Sequence, residues 1–589
     1  MREEIKNRFS ITTVYQTVFF ISLTGIILVI IDLGFNQSAF VQKLIDGFLL
    51  FVLSAGFASS IIRYIYKPSK VKVKVLLFDG ASILFIGLII ATYLVPKDQN
   101  DFLSNLHHDI WIRVAILLIF IRELADRNID YRRTTLNPAQ LFITSFLAII
   151  FIGTLLLMLP KATFSGISFI DALFTSTSAV CVTGLIVVDT SSYFTFFGQL
   201  IILMLIQLGG IGILTFASYF SYFFKGGSTY KSQLVIGDMT NLQKMGEVFT
   251  TLKRIILTTF SIELAGAMLI YSSLDKDQLT SFFERSFFSV FHAVSAFCNA
   301  GFSTLQNNLY EEAYRFNYSL QLVIITLVII GGLGFPIVFN LLKYLKYQVK
   351  SRLIKPIGGE RKNIPWVLNI NSRITLVTTL TLTVMGTVLI YFGEYHHTLA
   401  VHPEIGKVVT ALFTAATPRT AGFNTIDIGA LQFPILIMII FLMWVGASPG
   451  STGGGIKTST FAIAILNIIS LAKGKSRIEV YRREIADISV KRANAIILLS
   501  IMVIGFGILG ISYFDGEKDL LSVAFECFSA YSTVGLSMGI TAGLSTASKM
   551  IVIVIMFLGR VSMLTILIAL FIKTKHKNYR YPTEEIAIN

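Results

Sequence analysis

The chain has 589 residues, 54% of them hydrophobic and only 14% charged, with a mean hydropathy of +0.73. Soluble globular proteins carry roughly 25% charged residues, so this composition excludes a soluble fold, and the continuous apolar runs exclude a β-barrel, whose strands alternate. The net charge of +15 flanks apolar runs and forms no separate basic domain, which argues against nucleic acid as a partner.

Residues 1–134 contain four apolar runs, about 12–34, 41–65, 75–96 and 109–124, that read as membrane spans. The first is long, lacks a small-residue cleavage site and is followed by further spans, so it reads as a span rather than a signal peptide. Asp79 lies in the third run, and Arg113 and Arg122 lie in the fourth. This loosely resembles a voltage sensor, but a sensor needs several arginines at every third position, and two of them nine residues apart supply little gating charge. A packing or accessory bundle is the favoured reading of this region.

Beyond residue 134 the chain repeats itself. Four segments end in Gly followed by Leu or Phe: FTSTSAVCVTGL (Phe174 to Leu185), FHAVSAFCNAGF (Phe291 to Phe302), FTAATPRTAGF (Phe413 to Phe423) and FECFSAYSTVGL (Phe525 to Leu536). Their glycines, Gly184, Gly301, Gly422 and Gly535, are 117, 121 and 113 residues apart. In the first, second and fourth, Phe stands ten residues before the Gly and Ser-Ala six and five before it. The third is one residue shorter and carries Thr417, Pro418 and Arg419 instead.

An apolar span precedes and follows each segment, as 141–159 and 197–224 flank the first. The segments are too short to span and too apolar for solvent loops, so each reads as a re-entrant helix followed by an extended stretch. Irregular backbone at membrane depth is tolerated where it is buried in protein or lines a water-filled path. Four such stretches about one axis would present rings of carbonyl oxygens able to replace the hydration shell of a monovalent cation. The helix dipoles would point their negative ends at the same place. The bland alternative for any single segment is a Gly-terminated turn in an outer loop; shared residues at near-equal spacing weigh against it.

The passage GASPGSTGGGIKTST (Gly446 to Thr460) looks at first like a phosphate loop. Ile456, however, intrudes between Gly455 and Lys457, and the flanks are apolar spans, so ATP binding is not the reading. The passage interrupts the last span of the third repeat, where its polar backbone would face an ion path; a simple glycine kink is the alternative. Arg560 sits near the middle of the final span, where a charge is costly and faces protein or water. Cys181, Cys298, Cys527 and His292 show no metal-ligand clustering and read as packing residues.

Charge along the chain sets a topology. Basic residues concentrate at 63–74, 122–133, 343–373, 473–492 and in the tail, and the loops between are poor in them. Short Lys/Arg-rich loops stay cytoplasmic, which puts both termini in the cytoplasm of a multi-pass inner-membrane protein and the four repeat segments on the outer side.

The passages SAVCVTGL, HAVSAFCNAGFSTL, TAATPRTAGFNT, SAYSTVGLSMG and SPGSTGGGIKTST resemble the Trk/Ktr/HKT superfamily of potassium-translocating subunits, closest to bacterial Ktr and Trk, over about 135–575. The resemblance implies an all-α polytopic fold with four span–pore-loop–span units around one central pore, here with four extra N-terminal helices. The expected divisions are 1–134 for the extension, then repeats at 135–240, 241–355, 356–480 (with the intramembrane loop) and 481–589 (with the tail). It implies a K⁺ filter formed by backbone carbonyls of Val182, Thr183, Gly184, Asn299, Ala300, Gly301, Thr420, Ala421, Gly422, Thr533, Val534 and Gly535. Related plant transporters with Ser at the first filter glycine carry sodium; Gly184 holds that position here, which favours K⁺. The gate would comprise Gly450, Gly453, Gly454, Gly455 and Arg560, with Lys457 equally a loop charge at the cytoplasmic mouth.

The expected function is K⁺ uptake across the plasma membrane, with Na⁺ as a candidate coupling or activating ion, no covalent cofactor and no catalytic residues. The expected assembly is a homodimer in lipid with a cytosolic ring of nucleotide-binding regulatory subunits. The alternatives are a voltage-gated-like cation channel, a secondary transporter of another solute, which predicts inverted repeats, and a membrane enzyme, which predicts a polar catalytic cluster.

Overall fold

A computed structural model describes residues 2–66, 73–94, 109–126, 138–212, 248–275, 281–353 and 368–570. The basic stretches after 66 and 126, residues 354–367, and the tail beyond 570 lie outside these residues. Among the described residues, six helices are long and apolar enough to cross a membrane, or seven if one bent pair counts as a single span. The protein is a multi-pass membrane protein.

Four helices occupy the N-terminal region: α1 (Arg2–Gly34), α2 (Ala39–Tyr66), α3 (Val73–Leu94) and α4 (Asp109–Asp126). Leu49, Leu53, Ile86, Ile89 and Ile116 pack between them. Both arginines of α4 are in ion pairs: Arg113 with Asp32 of α1 at 2.7 Å, and Arg122 with Asp79 of α3 at 2.8 Å. Arg63 of α2 pairs with Glu123 of α4 at 2.9 Å, and Tyr64 donates to Asp79 at 2.6 Å. The end of α1 meets the rest of the chain, where Lys161 Nζ donates to the Asp32 carbonyl at 3.4 Å.

Four long incoming helices follow: α5 (Pro138–Leu157), α8 (Val248–Ser273), α12 (Ile370–Glu394) and α16 (Asp487–Phe514). Each leads to a shorter helix: α6 (Phe169–Cys181), α9 (Phe282–Cys298), α13 (Glu404–Ala416) and α17 (Leu520–Ser532). Side chains start two of these sharply: Ser168 accepts from Asp171 N, and Asp519 from Ser522 N. The repeated Phe174, Phe291, Phe413 and Phe525 are the buried anchors of the short helices.

Outgoing helices α7 (Phe196–Ile211), α10 (Tyr318–Leu333), α14 (Phe433–Trp444) and α18 (Thr546–Val561) complete each unit. The sequence reading of these as continuous spans, except at the glycine loop, needs correction. α10 turns through 105° into α11 (Phe335–Leu353), and α18 breaks into α19 (Met563–Leu570). The residues at the ends of α7, α10 and α18 are Gly212, Gly334 and Ser562, with φ of 84°, 78° and 71°. That left-handed conformation stops a helix and suits glycine. α14 is followed by the glycine loop and then α15 (Thr458–Ala472). The basic 473–492 stretch includes a small exposed hairpin, β1 (Glu479–Val480) with β2 (Arg483–Glu484).

The broken helices lie close against the short ones because small residues let backbones approach. A Cβ on Gly209, Gly331 or Gly559 would run into the carbonyl oxygen of Val180, Phe297 or Tyr531, each four residues before a repeat glycine.

Candidate functional site: a ring of four glycine-terminated segments

The short helices all end at one place. Each is followed by a residue in the left-handed region two positions before the repeat glycine: Val182 (φ 58°), Asn299 (61°), Thr420 (78°) and Thr533 (50°). The glycines themselves have φ of 90°, 69°, 76° and 93° at Gly184, Gly301, Gly422 and Gly535. Thr183, Ala300, Ala421 and Val534, between them, do not. Alternating handedness along a chain turns successive carbonyls toward the same side. Three of the four non-glycine residues are β-branched, for which this conformation is strained by roughly 1–3 kcal/mol.

Hydrogen bonds hold the strained stretch. Thr183 N, Ala300 N and Val534 N donate to the carbonyls of Ser178, Ser295 and Ser529 at 2.8, 2.7 and 2.9 Å. The hydroxyls of Ser178 and Ser529 accept from Gly184 N and Gly535 N, both at 3.1 Å. Ser295 instead donates to Phe302 O at 2.7 Å. This explains the repeated Ser. In the shorter third segment Thr417 takes its place, accepting from Ala421 N at 2.9 Å and donating to Phe423 O at 2.6 Å. Arg419 points away into α12, donating to Thr379 O and Thr383 Oγ1 at 3.1 Å each.

The four segments close a cycle. The side-chain direction of Gly184 faces Ala300 O; that of Gly301 faces Ala421 O, which an added Cβ would approach to 2.7 Å; Gly422 faces Val534 O; and Gly535 faces Thr183 O. Each glycine thus makes room for the carbonyl of the next segment. All twelve residues read from the sequence as carbonyl donors fall within this ring.

The ring has two faces. On one, a cavity of about 450 Å³ is lined by all four glycines, by residues that follow them, and by the carboxylate residues Asp189 and Asp427, with no lysine or arginine among the described residues of its lining. On the other lies the glycine loop. Gly454 N donates to Thr533 Oγ1 at 2.8 Å, Gly453 abuts Thr420, and Gly455 abuts Ser532. Ser448 N donates to Gly332 O at 3.0 Å, seating the loop on the break of α10, and Gly450 packs on Pro336. Lys457 Nζ donates back to Gly453 O at 2.5 Å, which clasps the loop on itself. Arg560, half-buried, donates to Thr452 O in the loop and to Gly209 O on α7, the latter at 2.6 Å.

The reading from sequence did not find Thr452, the break at Gly212, Gly334 and Ser562, or the carboxylates of the cavity. A signal for the break exists: Gly-Gly-Ile-Gly (209–212), Gly-Gly-Leu-Gly (331–334) and Gly-Arg-Val-Ser (559–562) share a pattern, with Arg560 at the register of Gly210 and Gly332.

Irregular backbone gathered at the centre of a helical membrane chain is tolerated where it is buried in protein or lines a water-filled path, as in membrane transport proteins. The sequence model of the TrkH family, described as "Cation transport protein", matches residues 104–581. The chain is 36% identical over 463 residues to Ktr system potassium uptake protein B of Bacillus subtilis (strain 168), covering 78% of this chain and 98% of that protein. It is 34% identical to potassium/sodium uptake protein NtpJ of Enterococcus hirae, covering 77% and 98%. The crystal structure of the potassium transporter TrkH from Vibrio parahaemolyticus shares the fold, with TM-score 0.59 at 17% identity over 84% of this chain and 97% of that one. The chain belongs to the TrkH family of cation transport proteins.

Proposed function

We propose that the chain is a K⁺ uptake protein whose ion path runs through the ring of Gly184, Gly301, Gly422 and Gly535. The observation that carries this is the cyclic arrangement in which each glycine faces the carbonyl of the next segment, with the alternating φ signs that orient carbonyls alike. Such carbonyls replace a cation's hydration shell. The residues two, one and zero positions before each Leu/Phe-preceding Gly form the filter, and the four span–re-entrant helix–span units surround it.

The glycine loop, with Arg560 beside it, is the gate. It lies across the face of the ring opposite the cavity. Its polar backbone finds partners in Thr533, Gly332 and Arg560 rather than lipid. The charge distribution supports an outer cavity and an inner loop, with both termini cytoplasmic in the inner membrane. Helices α1 to α4 form an accessory bundle whose paired arginines favour packing over field sensing. Na⁺ as a coupling or activating ion is supported by the likeness to NtpJ, a potassium/sodium uptake protein. A homodimer with a cytosolic nucleotide-binding ring is the assembly we propose by family likeness, the basic inner loops contributing to docking.

The test is rubidium-86 uptake into K⁺-starved cells lacking their own K⁺ uptake, with and without Na⁺. Saturable uptake competed by K⁺ supports the reading. Absence of uptake from membranes that contain the protein, even with a nucleotide-binding soluble subunit co-expressed, would remove it.

A further inference from the structure

The ring is fourfold in its glycines but twofold behind them. In the second and fourth segments the residue nine before the glycine is titratable: His292 and Glu526, both fully buried. Each reaches past the filter stretch to the serine two residues after the glycine. His292 Nδ1 lies 2.9 Å from Phe288 O, so it carries the proton and donates; Nε2 is left to accept from Ser303 Oγ at 2.9 Å. Glu526 Oε1 accepts from Ser537 Oγ. The two serines then repeat one another again. Ser303 Oγ accepts from Leu305 N at 3.1 Å, and Ser537 Oγ accepts from Gly539 N at 2.9 Å.

The first and third segments lack this link. Thr175, nine before Gly184, returns its hydroxyl to Asp171 O within α6 at 2.8 Å, and Ile186 stands where the serine would be. In the shorter third segment the corresponding Thr414 bonds Thr410 O at 2.8 Å, and Asn424 donates to Ile426 O at 3.2 Å. Its tie beyond the glycine is Thr417 Oγ1 to Phe423 O, the counterpart of Ser295 to Phe302 O in the second segment and not of either serine link. Because the segments close in chain order, the two linked ones face each other across the ring, as do the two unlinked ones.

We propose that His292 and Glu526 are a matched pair of positioning residues. Each bridges its re-entrant helix to the chain just after the filter glycine, and so steadies the carbonyls of Gly301 and Gly535 from behind; Gly301 O also accepts from Asn308 Nδ2 at 3.3 Å. The filter then has one rigid axis and one more yielding axis. The bridges act on ion preference more than on throughput. A carbonyl that can relax tolerates the shorter coordination distance of a smaller cation, and one held in place does not. The side chains differ, imidazole in one and carboxyl in the other, because the task asks only for a buried acceptor at hydrogen-bond distance from a serine hydroxyl.

This inference rests on the filter reading above, and the test separates the two. Purified protein in K⁺-loaded vesicles is compared for Rb⁺ and Na⁺ uptake, normalised to protein in the membrane. Glu526→Ala, Ser537→Ala, His292→Ala and Ser303→Ala should each lower the Rb⁺/Na⁺ uptake ratio by about three- to tenfold, the effect of losing one hydrogen bond. Glu526→Gln, which keeps an acceptor oxygen, should restore most of the ratio. The double change Glu526→Ala/Ser537→Ala should fall no further than either alone. Thr175→Ala, in an unlinked segment, should leave the ratio alone. Gly535→Ser serves as the filter control. If Gly535→Ser shifts the ratio and the four bridge variants do not, the bridges are packing only and the filter reading stands. If neither shifts it, both readings fall. If Thr175→Ala shifts it as much as Glu526→Ala, the twofold distinction is wrong.

Discussion

Arg560 donates a guanidinium N–H to the carbonyl oxygen of Thr452, 108 residues away in the glycine loop, and a second to Gly209 O. One side chain thus ties the loop after α14 to α7 and α18. A charged side chain at membrane depth is stable when it finds carbonyls like these. It also places a positive charge beside the ring, where water is scarce and repulsion of a cation is strong.

Arg560→Ala should therefore raise flux. It removes two charge-assisted hydrogen bonds, each worth about 1.5–3 kcal/mol, from the loop as it lies against the ring, which on the gate reading is the closed arrangement. A shift of only about 1.4 kcal/mol is tenfold in the open population, so we expect roughly tenfold faster uptake with K⁺ over Na⁺ preference unchanged. Initial rates in vesicles of known protein content measure this. A lower maximal rate in assembled protein would make Arg560 a support and not a barrier.

Gly184→Ser should weaken K⁺ preference over Na⁺. Gly184 has φ 90°, which a side chain resists, and its Cβ would run into Ala300 O. The damage therefore falls on the next segment's carbonyl as well as on residue 184. We expect the preference to fall about fivefold or more, the effect of roughly 1 kcal/mol. Reversal potentials in K⁺ and Na⁺ gradients measure it; an unchanged value in a folded mutant places Gly184 outside the filter.

Much of the ring was legible because its constraints are local. Glycine with positive φ, and Ser ahead of it to accept backbone N–H groups, must recur wherever the conformation recurs. The third segment aligned through Phe413 and Gly422, but that Thr417 stands in for Ser one residue closer is revealed only by the hydrogen bonds to Ala421 N and Phe423 O. The breaks in the outgoing helices were missed because Gly-Gly-Ile-Gly reads as apolar on any hydropathy window, although glycine ends helices. His292 was read as packing because its partner Ser303, eleven residues on, lies on the far side of a turn whose path a sequence does not state.

The N-terminal bundle should respond to charge removal through stability, not through voltage. Arg122 and Asp79 are 11% and 5% exposed and pair at 2.8 Å, so removing Arg122 leaves the Asp79 carboxylate in an apolar bundle without its ion pair, the Tyr64 hydroxyl still donating to it. Such a break costs about 3–5 kcal/mol. Arg122→Ala should lower the thermal transition of the purified protein, and Arg122→Ala/Asp79→Ala should recover part of the loss. Uptake against imposed membrane potential should keep its voltage dependence in whichever variants fold. A shift of that dependence on neutralising Arg113 or Arg122 would return the bundle to the sensor reading.

The loop itself gives the last prediction. Gly453, Gly454 and Gly455 lie against Thr420, Thr533 and Ser532, the residues that enter the ring, and have no room for side chains there. Deleting Gly453 and Gly454 takes away the segment that covers this face and also the carbonyl that Lys457 clasps. The carbonyls of the ring are untouched. Uptake should therefore rise several-fold, by about the amount expected for Arg560→Ala, since on the gate reading both changes release one closed state. Combining the two should add little further, because neighbouring changes that act on one equilibrium are not additive. Lys457→Met, which keeps the loop but loses the clasp, should give a smaller increase. Rate and ion preference are read from the same vesicles. Faster uptake with unchanged preference supports a gate. A changed preference would mean that the loop contributes to the filter, and a slower rate in assembled protein would mean that it holds the ring open.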